Sequence, residues 1–147
     1  MSGKLSKKSI LIIDDDSRML GALDKTLTHA GANVTCQVWA GDIFKILTGP
    51  QKPFDLMITD LHMPFISGLT ALERVHKLFP KLPIIVLTAF GSPDIEYACL
   101  HQGASAYLEK PLDASQLFEA IEKVLDSRNE KEPATRMQKI QGQKSGC

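Results

Sequence analysis

Four groups of side chains in this chain could do chemistry, and each sits at or just beyond the end of a short apolar run. Asp14-Asp15-Asp16 follow ILII, Asp60 follows LMIT, Thr88 follows IIVL, and Lys110-Pro111 come just after ASAYL. Clustered carboxylates repel one another, and in a cleft they need compensation. A hard divalent cation held by oxygen ligands is one compensation. Magnesium typically takes one or two carboxylates together with waters and a phosphate oxygen. The Lys110 ammonium is the other. A carboxylate held by both is placed to attack phosphorus, because aspartyl phosphates are established covalent species. The metal and the lysine would neutralise the transferring oxygens, and Thr88 offers them a hydroxyl. Singly, each residue has a plainer reading: a helix cap, a strand former, a surface lysine. Only their joint order and spacing point to phosphoryl chemistry.

Such chemistry needs the four run ends to meet. The runs over residues 9–14, 33–39, 55–60, 83–88 and 104–108 read as strands, the first almost continuously apolar and suited to cover on both faces. The second is more polar and belongs near a sheet edge. Between them lie amphipathic segments. Leu20, Leu23, Leu27 and Ala30 recur at helical steps over residues 17–30, and Gly31 supplies a stop. Residues 42–48 and 69–79 stop at Gly49-Pro50 and Pro80. Ser92-Pro93 is a cap followed by a first-turn proline that opens 94–102, ended by Gly103. Asp113 and Gln116 form a capping box for residues 114–126. Strand and helix alternate five times, which implies parallel pairing through right-handed crossovers and an open three-layer α/β sheet. In a parallel sheet all the carboxyl ends emerge on one edge. Asp14, Asp15, Asp60, Thr88 and Lys110 therefore converge there, where ligands bind in open α/β sheets.

Composition bounds the answer. At roughly 100–200 residues per domain, 147 residues make one domain with a tail. With 44% hydrophobic and 23% charged residues, wholesale disorder is excluded. Basic and acidic residues number 17 each, so net charge gives no prior for nucleic acid or membrane. That balance conceals an acidic body, with 15 acidic against 9 basic residues over positions 10–126, flanked by basic ends. Residues 127–147 lack apolar periodicity and read as a flexible basic tail or linker stub. Cys36, Cys99 and Cys147 have neither zinc spacing nor an even count, which suits a reducing compartment. Cys36 and Cys99 read as small buried residues. His29, His76 and His101 have no metal spacing and read as surface or boundary residues, and Trp39 as packing. The opening residues hold only a four-residue apolar run, short of a signal core or a span, so the expectation is a cytoplasmic protein.

The segments ILIIDDDSRML, DLMITDLHMPFISGL, PIIVLTAFG and GASAYLEKPLD resemble those of the receiver domain of two-component response regulators, of the CheY-like type. The resemblance covers about residues 8–126. It implies a (βα)5 fold with flavodoxin-like strand order 2-1-3-4-5. Asp60 would be the phosphoacceptor, taking a phosphoryl group from a histidine kinase or phosphotransfer protein. Mg²⁺ (or Mn²⁺) would be held by Asp15, Asp60 and the His62 backbone carbonyl, with Asp14 acting through water. Asp16 would cap the first helix. Thr88, the Ala89 backbone N–H and Lys110 would bind the phosphoryl group, Pro111 would follow a cis peptide, and Tyr107 would be the aromatic switch. His62 and Phe90 fall where the family tunes self-hydrolysis, and a bulky Phe90 suggests a long-lived phosphoryl-aspartate. Phe65 and Ser67 depart from the glycine and acid common in the family, while Gly68 is retained.

The resemblance further implies a partner-binding face around the fourth helix, fifth strand and fifth helix. It implies a downstream effector or linked output domain, and homodimerisation on phosphorylation. No direct nucleic-acid or membrane binding is expected of this domain. Two other functions compete: a magnesium-dependent phosphohydrolase with an aspartyl nucleophile, and a phosphate-independent interaction module. TDLHM lacks a second acid two residues on to act as general acid, which argues against turnover and for a phosphoacceptor that is not an enzyme. The presence of Asp15, Asp60, Thr88 and Lys110 together disfavours the second. No glycine-rich phosphate loop follows the first run, so a nucleotide site is not expected.

Overall fold

A computed structural model describes residues 5–37, 43–50, 53–61 and 68–141. Its elements run β1 (Ser9–Ile13), α1 (Ser17–His29), β2 (Asn33–Gln37), α2 (Ile43–Leu47), β3 (Leu56–Thr59), α3 (Gly68–Leu78), β4 (Ile84–Thr88), α4 (Pro93–His101), β5 (Ala106–Glu109) and α5 (Ala114–Gln141). The five strands form one sheet in the order β2-β1-β3-β4-β5, every pair parallel. This is the flavodoxin-like order expected from the sequence.

Three central strands, β1, β3 and β4, are almost wholly buried, and β2 at the edge is half-exposed. Continuous Ile/Leu/Val runs suit strands covered on both faces, and a polar run suits an edge. Side-chain alternation splits the interior into two cores. Ile10, Ile12, Leu56, Ile58, Ile85 and Leu87 face α1 and α5, where Leu20, Leu27, Leu117 and Ile121 meet them. Leu11, Ile13, Met57, Ile84 and Val86 face the other side, where Ile43, Leu72, Val75 and Cys99 meet them. Burying such side chains supplies about 1.5–3 kcal/mol each, so the central strands are the most firmly fixed part of the molecule.

Local signals set the helix ends. Asp16 caps α1 by accepting from the Arg18 and Met19 N–H groups. Ser92 caps α4 by accepting from the Ile95 N–H at 3.1 Å, with Pro93 in the first turn. Asp113 and Gln116 bond reciprocally at 3.0 Å each way, which is the capping box read from the sequence. Gly31 and Gly103, at φ 103 and 118, turn the chain after α1 and α4.

One expectation needs correction. Helix α5 does not stop at residue 126 but continues to Gln141, through the stretch read as a flexible tail. Ten of the fifteen residues 127–141 are Glu, Lys, Arg, Gln, Met or Ala, all strong helix formers, and the helix runs on through Pro133, which propensity does not explain. Among the described side chains, α5 buries Leu117, Ile121, Val124 and Leu125 in the core. Cys36 is half-buried, whereas Cys99 is buried as expected. His62, Phe65, Ser67, Trp39 and Cys147 lie outside the described residues.

Candidate functional site

At the carboxyl edge of the sheet, the ends of β1, β3, β4 and β5 bring the foreseen residues together. Asp14 and Asp60 follow adjacent strands, and the Asp60 N–H donates to the Ile13 carbonyl at 3.0 Å. Asp14, Asp60 and Thr88 are all buried, although all are polar. Asp15 is exposed. Oxygens of Asp14, Asp15 and Asp60 lie within 4.8 Å of one another.

Lys110 reaches into this cluster from the end of β5. Its Nζ donates to Asp14 Oδ2 at 2.7 Å and to Asp60 Oδ2 at 3.1 Å, with only 11% of its side chain exposed. Its backbone N–H donates to the Thr88 carbonyl at 2.9 Å, which fixes β5 against β4 at this point. The Lys110-Pro111 peptide is cis. Asp14 uses its other oxygen to accept from the Asp16 N–H at 2.9 Å.

Two buried acids share the Lys110 ammonium. Burial pushes the Asp14 carboxyl above its ordinary value, against the opposing pull of Lys110 and the Asp16 N–H. For Lys110, burial works against the ammonium. The hydrogen bonds from Asp14 and Asp60 outweigh it, and the lysine pKa rises. The lysine therefore stays charged. An all-oxygen donor set with one exposed carboxyl fits a hard divalent cation that retains water and can take a phosphate oxygen.

The β4–α4 loop borders the cluster. The buried Thr88 hydroxyl accepts from the Phe90 N–H at 3.2 Å. Ala89 and Phe90 are exposed, Phe90 by 70%, so in this arrangement the phenyl ring does not cover the acids. Tyr107 donates from its hydroxyl to Glu109 Oε2 at 3.0 Å. Beyond β3, Gly68 sits so close to Leu61 that a Cβ would collide with the Leu61 backbone. Sequence reasoning passed over Glu109 and Gly91. The signal was available for Glu109, which stands two residues after Tyr107 on a strand and so shares its face.

These features match those of known proteins. A family model described as the response regulator receiver domain matches residues 10–122. The chain belongs to the response regulator receiver domain family. This receiver domain is similar to the DNA-binding transcriptional regulator NtrC of Proteus hauseri, 31% identical over 88% of the chain and 27% of that protein. It thus spans about a quarter of the length of the curated relatives it matches. Among solved structures, a CheY-like receiver domain protein from Methanospirillum hungatei is 33% identical with a TM-score of 0.79, covering 86% of this chain and 99% of that one. A response regulator from Burkholderia pseudomallei, described with a phosphorylated aspartic acid and a calcium ion, is 27% identical with a TM-score of 0.72, covering 89% and 74%. Among the described residues, no helix is long and apolar enough to cross a membrane.

Proposed function

We propose that this receiver domain is a cytoplasmic phosphorylation switch whose acceptor is Asp60. One observation carries the reading: Lys110 spans Asp14 and Asp60 inside a three-carboxylate cluster at the carboxyl edge of the sheet. In the reaction, an Asp60 oxygen attacks the phosphorus of a phosphohistidine on a partner kinase or phosphotransfer protein. The new O–P bond forms as the P–N bond breaks. The electron pair returns to the imidazole nitrogen, which takes up a proton from solvent. Asp15, Asp60 and the His62 carbonyl, with Asp14 through water, would hold a magnesium or manganese ion, which would supply positive charge for the phosphoryl oxygens. Lys110 stays protonated and follows the transferred group, trading one carboxylate partner for a phosphoryl oxygen. Thr88, at the end of the neighbouring strand, offers its hydroxyl, and the Ala89 N–H a second donor. The position two residues after Asp60 holds His62 and not a second acid, which favours a switch over a turnover enzyme.

Phosphorylation then biases a two-state element. Thr88 is tied to the loop that leads into α4, and Tyr107 lies on β5 beside it. The face formed by α4, β5 and α5 is the proposed partner surface. Tyr97 and Leu100 stand exposed on α4 and supply apolar contact. The occupants are an effector, a linked output domain or a second phosphorylated copy. The similarity to longer transcriptional regulators supports a linked output.

The test is the intact mass after incubation with acetyl phosphate and magnesium. One phosphoryl adduct is expected for the wild type, and none with EDTA or for Asp60→Asn. An adduct that persists in Asp60→Asn refutes the acceptor.

A further inference from the structure

Among the described residues, the buried polar or charged side chains are Asp14, Thr59, Asp60 and Thr88. The site uses three of them. The fourth, Thr59, stands on β3 one residue before the acceptor and is 2% exposed. Strand alternation puts it on the face of Met57, which packs with Ile43, Leu72 and Val75. Its partners in register are Ile13 on β1 and Val86 on β4, both buried and apolar. Valine would suit such a place, so packing alone does not call for a hydroxyl. The hydroxyl instead donates to the Asp60 backbone carbonyl at 3.0 Å. That carbonyl lies past the last β1–β3 pair, Ile13 with Thr59, and a buried carbonyl beyond the end of a ladder needs another donor. The Asp60 N–H is bonded to the Ile13 carbonyl. Both backbone groups of the acceptor are therefore held, one by the neighbouring strand and one by the preceding side chain.

We propose that Thr59 is a positioning residue for phosphoryl transfer, holding the Asp60 backbone so that its carboxylate keeps its aim. The inference rests on the switch reading above. A residue has two soft backbone dihedrals. With the peptide on each side of Asp60 tied down, both are fixed, and with them the direction of its Cα–Cβ bond. The carboxylate at the end of that bond must present an oxygen to phosphorus while Oδ2 stays 3.1 Å from Lys110 Nζ. Attack is sensitive to such aim, because a misplacement of about 1 Å can cost 10²-fold in rate. The Thr59 hydroxyl bonds the acceptor's backbone and not its carboxylate, so it acts through Asp60. One net hydrogen bond at this position shifts the balance of aimed and loosened forms about threefold to tenfold.

Two readouts on the full chain test this. NMR of protein isotope-labelled at aspartate carbonyl carbons and leucine amide nitrogens gives signals only from Asp-Leu pairs. The sequence has two, Asp55-Leu56 and Asp60-Leu61, and they flank β3. Thr59→Val is expected to move the Asp60-Leu61 signal, while the Asp55-Leu56 signal stays and reports an intact strand. The second readout is the rate of adduct formation from acetyl phosphate with magnesium, followed by intact mass. Thr59→Ser keeps the hydroxyl and is expected to match wild type, although it gives up a buried methyl and melts lower. Thr59→Val and Thr59→Ala lack the hydroxyl and are expected to slow the adduct about threefold to tenfold. Rates that follow side-chain size or melting temperature instead of the hydroxyl overturn the assignment, as does an unmoved Asp60-Leu61 signal in Thr59→Val. If Thr59→Val does not fold, Thr59→Ser against Thr59→Ala makes the same comparison. A wild type that forms no adduct refutes the switch reading instead. The Asp60-Leu61 signal, read with neither magnesium nor phosphate, still decides whether the hydroxyl holds the backbone of Asp60.

Discussion

Replacing Asp15 with asparagine is expected to stabilise the metal-free protein and to abolish its stabilisation by magnesium. Asp15 is the exposed member of the cluster, and its oxygen lies within 4.8 Å of those of Asp14 and Asp60. Two like charges at that separation repel by roughly 1 kcal/mol in bulk water and by three to four times that at an effective dielectric of about 20. Solvent reaches Asp15, so the lower bound applies, and screening holds the gain from removing its charge to about 1 kcal/mol. In a domain of this size that corresponds to a rise of roughly 4 °C in melting temperature. Magnesium acts in the opposite sense. A ligand present at 100 times its Kd stabilises the native state by about 2.7 kcal/mol, and Asp15→Asn removes a proposed direct ligand. The melting curves should therefore cross: the variant melts higher in EDTA, the wild type higher in magnesium. Circular dichroism melts across a magnesium titration give both quantities. A variant that melts lower in EDTA would falsify the repulsion argument. A variant that gains as much from magnesium as wild type would remove Asp15 from the site.

Three further outcomes follow from the geometry. Lys110→Met leaves two buried carboxylates without their shared cation and should cost roughly 3 kcal/mol at neutral pH in EDTA, read by urea denaturation. The loss should shrink in acid. Asp14 has a raised carboxyl pKa in the folded state, so its contribution is complete below the ordinary carboxylate range and is lost as pH climbs through its raised value. An equal loss at acid and neutral pH sinks that account. Gly68→Ala drives a methyl into the Leu61 backbone and should cost about 1–3 kcal/mol by the same assay, whereas an unchanged midpoint would show that the loop yields freely. Phe90→Ala keeps the N–H bonded to Thr88 but removes the bulky apolar ring, and should shorten the life of the phosphorylated form by admitting the attacking water. The decay of the mass adduct measures this, and a wild-type lifetime of seconds would already contradict the expectation of a long-lived form.

Much of this was legible because it is local. The Ser92-Pro93 start, the Asp113 and Gln116 box and the Gly31 and Gly103 stops each depend on a few neighbouring residues, and each is present. The meeting of Asp14, Asp60, Thr88 and Lys110 was legible for a different reason. Parallel strands all end on one edge, so four run ends in chain order suffice to place them together. The course of α5 beyond residue 126 was hidden because the stretch has no apolar periodicity and Pro133 reads as a stop. The seating of Tyr107 was hidden too. It depends on how closely Gly91 approaches a side chain from another strand, and no spacing along the chain encodes that distance.

The sheet that carries the acids also partitions the interior, with α1 and α5 served by one set of buried side chains and α2, α3 and α4 by another. Changes in non-touching regions combine nearly additively in free energy. The two helical layers are therefore thermodynamically separable. Substitutions beneath α4 and substitutions beneath α1 and α5 are expected to add in unfolding free energy, because the sheet stands between them.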